Sequence, residues 1–119
     1  MNYRTLFSNL RYRGLVRSAK RNYHVAEATA HFVLFSPGKG AGGNFTVVAR
    51  KAVAYVAKQL GGRRSITSKA AYDACRRSKF LSDRFAVLNT LYVLVATKRA
   101  RISKMKGQTL YFNVKKHGG

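Results

Sequence analysis

The chain has 119 residues, with 24 lysines and arginines against three acids, a formal net charge of +21 and 46% apolar residues. That length fits one domain with an arm rather than two domains, and seven Tyr and seven Phe give it a core, which excludes a wholly disordered basic tail. The longest apolar runs, Phe32 to Phe35 and Leu91 to Ala96, fall far short of the roughly 18 residues of a membrane-spanning helix, and a lone cysteine, Cys75, excludes an internal disulfide or a cysteine-built zinc site.

Residues 1 to 24 hold Arg4, Arg11, Arg13, Arg17, Lys20 and Arg21 and no acid, with Tyr3, Leu6, Phe7, Leu10 and Leu15 between them. Two readings compete. An Arg-rich, acid-free start with apolar residues at helical spacing suits a mitochondrial transit peptide, for which Arg21-Asn22-Tyr23 supplies a processing site. The plainer reading is a basic arm lying along phosphates, with Tyr3, Tyr12 and Tyr23 free to stack.

Residues 25 to 43 comprise a short strand and a Gly-rich loop. His31 to Phe35 is an apolar run bounded by Ser36-Pro37-Gly38 and reads as a buried strand. The segment Pro37 to Gly43 is rich in glycine but lacks the Gly-Lys-Ser/Thr ending of a phosphate-cradling loop, so it reads as a linker or a backbone-contact loop.

From Asn44 or Thr46 as cap, Val48, Ala52, Val56 and Leu60 at four-residue spacing predict a helix that Gly61-Gly62 stops. Thr67 or Ser68 caps a second helix, Lys69 to about Arg77, with Ala71, Ala74 and Cys75 inward. Ser82 caps a third, whose stripe is Phe85, Leu88, Leu91 or Tyr92, and Val95; its β-branched end allows a change to strand before Lys98. Alternation at Ala100 and Ile102, then at Leu110, Phe112 and Val114, predicts a hairpin whose basic turn is Lys104 to Gly107. Lys115 and Lys116 open a basic end.

The fold expected from these elements is α+β: three helices followed by a C-terminal β-hairpin, winged-helix-like, over residues 44 to 119, with a basic N-terminal arm. A surplus of +21 calls for an anionic partner, and the phosphate backbone of nucleic acid is the one that fits charge spread along the whole chain. Arg63, Arg64, Lys69, Arg76, Arg77, Lys79 and Arg84 flank the second and third helices, and Lys98, Arg99, Arg101, Lys104 and Lys106 load the hairpin. With the six cations of the arm, Lys115 and Lys116, these are the expected phosphate contacts. The third helix offers few residues suited to base edges, which favours recognition of backbone and shape.

Glu27, Asp73 and Asp83 are the entire acid inventory, and His24, His31 and His117 have no ligand spacing, so no enzyme activity, metal or cofactor is expected.

The segment Thr67 to Val114 resembles the winged-helix module of one small-subunit ribosomal protein of the eukaryotic type, and linker-histone globular domains share that plan. Tyr12-Arg13-Gly14-Leu15, Phe32 to Phe35 and Ser82-Asp83-Arg84 are similar in order to short motifs of one large-subunit ribosomal family, whose N-terminal strand and tryptophan are missing here. The resemblance implies an intracellular, ribosome-associated protein that binds rRNA beside neighbouring proteins, with no membrane partner. The mitochondrial matrix is implied if residues 1 to 24 are a transit peptide. The alternative is a non-sequence-specific DNA-packaging protein of a nucleoid, virus or chromatin.

Overall fold

The computed structural model describes residues 10–19, 21–37, 43–79 and 81–116. Four strands come first, β1 (Arg11–Arg17), β2 (Asn22–Glu27), β3 (His31–Pro37) and β4 (Gly43–Ala49), in one antiparallel sheet of sequential order. Three helices follow, α1 (Arg50–Leu60), α2 (Ser68–Ala74) and α3 (Arg84–Ala96), and a hairpin of β5 (Ala100–Lys106) and β6 (Thr109–Val114) closes the described chain.

This corrects the expected fold, which was three helices and a hairpin behind a basic arm. The described part of that arm is sheet. β1 pairs with β2 from Arg11↔Glu27 to Arg17↔Asn22, so residues 11–17 and 22–24 are strand rather than an extended basic arm. The reason is a period-two pattern: Val16 and Val25 are buried while Arg17 and Asn22 are exposed. Arg13 is the extra residue of a bulge between Tyr12 and Gly14, and Gly14 takes the positive φ of 143° that this kink needs.

The helix expected from Asn44 also starts later. Asn44 and Thr46 lie in β4, paired with Ser36 and Leu34, and Ala49 is still extended at φ −65° and ψ 140°. Phe45, Thr46, Val47 and Val48 are β-branched or aromatic, which suits a pleated surface, and Val48 buries itself from the sheet rather than from a helix. The second helix is shorter than expected, ending at Ala74, and α3 stays helical through Ala96. In the hairpin, Lys104, Met105 and Lys106 belong to β5, and the turn is Gly107-Gln108, with Gly107 at φ 63°.

α3 is the central element. It packs on α1 and α2, on β5 and on every strand of the four-stranded sheet. Being enclosed on several sides explains why Val87, Thr90, Leu91, Tyr92, Val93 and Leu94 are all buried, more than one stripe would account for. The expected stripe residue Phe85 instead points out, 68% exposed. Tyr92 stacks on Tyr23 of β2 with ring centroids 4.9 Å apart and meets Phe112 of β6 at 6.2 Å, so it joins sheet to hairpin.

The hairpin is held to the α1–α2 connection by reciprocal bonds. Ile66 N–H donates to Phe112 C=O at 3.0 Å and Phe112 N–H to Ile66 C=O at 2.8 Å, while Val114 N–H donates to Arg63 C=O at 2.8 Å. This fixes where its turn reaches over the molecule.

Candidate nucleic-acid interface

One cleft gathers residues from seven parts of the chain: the β1–β2 turn, β2, β3, β4, the start of α2, the exposed side of α3 and the hairpin. Its volume is about 890 Å³. The local reasons are visible in each element. Ser18 Oγ donates to Arg21 C=O at 2.6 Å and accepts from Arg21 N–H, closing the β1–β2 turn and setting Arg21 at the rim. Thr67 Oγ1 accepts from Ala70 N–H at 3.2 Å, which starts α2 and places Lys69 on the rim. Asp83 Oδ1 accepts from Ala86 N–H at 2.8 Å, which starts α3 and places Arg84, Phe85 and Asn89 along its open side.

Among the described residues the lining has three cations, Arg21, Lys69 and Arg84, and no acid. Asn44, Asn89 and Gln108 add three amides, and none of them bonds to a described group. Phe85 also borders a second hollow of about 280 Å³, so its ring stands between two depressions. The wall behind is Tyr23, Tyr92 and Phe112. Burial pushes the Tyr92 hydroxyl up to about 12.

None of the three acids lines this cleft, although Asp83 lines the smaller hollow beside Phe85. Asp83 caps α3 and Asp73 is exposed on α2. Glu27 sits in a second cationic cluster at the far end of β1 and β2. Its Oε1 accepts from Arg11 and Arg13, both at 2.9 Å, and its Oε2 from Arg50 at 2.6 Å. These guanidinium bonds, led by Arg50, hold the Glu27 carboxyl down to about 2. Arg50 also donates to Ala28 C=O at 2.8 Å and Thr29 C=O at 3.2 Å, tying the β2–β3 turn to α1. The Arg99 guanidinium is pulled below its ordinary value by burial, then by the charges of Arg13 and Arg50.

The structure therefore brings some expected contacts together and leaves others apart. Arg21, Lys69 and Arg84 share the cleft, and Arg11, Arg13 and Arg99 surround Glu27. Arg63, Arg64, Arg76, Arg77 and Lys79 are exposed on the connections beside α2, and Arg17 is exposed at the end of β1. Lys98 takes a left-handed φ of 62° before β5, and Arg101, Lys104, Lys106, Lys115 and Lys116 are exposed on or beside the hairpin. Lys104 lies over the Tyr111 ring at 4.7 Å. Arg4, Lys20 and the loop from Gly38 to Gly42 lie outside the described residues. Arg50 and the cleft amides were not expected. No local motif marks them, because their significance comes from strands and helices far apart in the chain.

No group of three His, Cys, Asp or Glu able to hold a metal occurs among the described residues, and no helix there is long and apolar enough to cross a membrane. His24 is engaged by Tyr12, whose hydroxyl lies 2.9 Å from Nδ1, and Cys75 is a buried core residue whose thiol burial pushes up. No protein-family model, curated protein or solved structure matches the chain.

Proposed function

We propose that the protein is a structural nucleic-acid-binding protein that holds folded RNA, such as rRNA in a ribonucleoprotein particle, through Lys and Arg contacts to phosphate. The observation that carries this reading is the cleft, which sets Arg21, Lys69 and Arg84 around one opening with no carboxylate in its lining. A +21 chain meets phosphate with release of condensed counterions, a gain that needs no sequence-specific contact. Structured RNA is favoured over duplex DNA because α3 is buried against the sheet and the other helices over most of its length, which leaves only its first turns open and too short a face to lie along a major groove.

Salt dependence tests this. With about eight phosphates neutralised, log affinity plotted against log salt concentration falls with a slope near −7 on duplex DNA and about −6 on single strands. Folded rRNA fragments are expected to bind more tightly than duplex DNA at equal salt. A slope shallower than about −3 on both would remove the multi-contact reading. Tighter binding of duplex DNA would turn the assignment to DNA packaging.

A further inference from the structure

Phosphate attraction explains the cations of the cleft but not its other parts. Three amides line it with no hydrogen-bond partner among the described residues. Ser36, only 4% exposed, also lines it, and its hydroxyl makes no hydrogen bond to a described group. No side-chain polar atom among the described residues is both buried and unpartnered, so this hydroxyl opens onto the cleft, where a ligand can bond to it. Phe85 adds a ring that is 68% exposed between two hollows, on the first turn of α3 where the fold could have kept any polar residue.

Amide groups and a lone hydroxyl suit the hydrogen-bonding edge of a base, an exposed ring suits its face, and the three cations suit its phosphate. A duplex hides base faces by stacking them, so a ring can reach one only where the nucleotide is unpaired. The volume is in the range that encloses a ligand of one or two nucleotides and is too small for a double helix. We propose that this cleft takes an unpaired nucleotide, with its base against Phe85 and the amides and its phosphate among Arg21, Lys69 and Arg84. The inference rests on the nucleic-acid reading above and names what that reading leaves open, the segment of RNA that enters the cleft.

The test uses the full chain and a fluorescein-labelled ten-nucleotide single-stranded RNA, the same sequence annealed as a duplex, and uridine monophosphate as competitor, all read by anisotropy at one salt concentration. The variants are Phe85→Ala and Gln108→Ala, both at exposed positions and both leaving the net charge unchanged, with circular dichroism melts to confirm folding. The single strand is expected to bind more tightly than the duplex. Phe85→Ala should weaken it roughly 5- to 100-fold, the effect of removing one base–aromatic stack. Duplex affinity and the salt slope should stay as they were. Competition by micromolar uridine monophosphate, lost in Phe85→Ala, would support the same site with a free nucleotide as its source. Equal affinity for single strand and duplex, with neither variant changing it, overturns the inference while a steep salt slope still supports the general reading. Displacement of the RNA by polyglutamate at matched charge would also overturn it, since the site would then sense only anions. Failure to bind any of these RNAs at low salt would instead remove the nucleic-acid reading itself.

Discussion

Glu27 is the residue on which the largest number of cations converge. Its carboxyl, held down to about 2 from an ordinary 4.5 by Arg50, Arg11 and Arg13, stays ionised in the folded state where an unfolded chain would already be protonating. A depressed carboxylate contributes stability that is fully present above pH 4.5 and is lost as pH falls through about 2. Because the guanidinium partners are 30 to 70% exposed, solvent screens the pairs, and the net contribution is on the order of 1 to 2 kcal/mol. Glu27→Gln should therefore lower the melting temperature at pH 7, and its melting curve should converge on that of the parent protein near pH 2. Parallel curves across this range would show that the carboxylate charge carries no stability. The substitution also leaves four guanidiniums, Arg11, Arg13, Arg50 and Arg99, with no counter-charge among them, so phosphate affinity should rise as stability falls. A variant with unchanged or weaker binding would place this cluster outside the interface.

At the scale of the element, α3 separates what burial decides from what periodicity suggests. A stripe at Phe85, Leu88 and Leu91 fits the spacing, but only Leu91 is fully enclosed; Leu88 is half-buried and Phe85 points into the open. Leu91→Ala should cost about 2 to 5 kcal/mol in chemical denaturation. Leu88→Ala should cost less than half of that, and a reversal of the two would mean that α3 is rotated from the orientation described. The hairpin was legible because Ala100 and Ile102, then Leu110, Phe112 and Val114 alternate, and the register Ala100↔Val114 and Ile102↔Phe112 follows from them, while the bulge between Ile102 and Lys104 carries no such signal. β3 was legible from its apolar run. β1 and β2 were hidden by composition: only Val16, Tyr23 and Val25 carry the inward pattern, and the arginines between them are the residues of a phosphate-binding arm as much as of a strand edge. β4 was hidden by a coincidence of spacing, since Val48 extends the four-residue series of α1 by one step backward into a strand. The cleft could not be read in advance, because Arg21, Asn44, Lys69, Asn89 and Gln108 meet only once the sheet folds over α3.

For the whole molecule, charge has opposite effects on folding and on binding. The described chain measures 36 × 30 × 25 Å, and in ~10 mM salt the screening length is about 30 Å, so each cation feels nearly every other. At ~150 mM it falls to about 8 Å, and the repulsion becomes local. Ion pairs within the described residues relieve this only at Glu27. Raising potassium chloride from ~10 to ~300 mM should thus raise the melting temperature by several degrees, because screening relaxes self-repulsion in the compact state. Over the same range nucleic-acid affinity should fall by orders of magnitude, because released counterions return to a more concentrated bath. The two trends come from one charge surplus and can be followed on one sample by thermal melts and anisotropy. A melting temperature that fell with salt alongside affinity would mean that ion pairs, and not repulsion, dominate the folded protein's electrostatics. That result would weaken the case for phosphate as relief of self-repulsion, since the surplus of +21 would then not be what limits the stability of the folded chain.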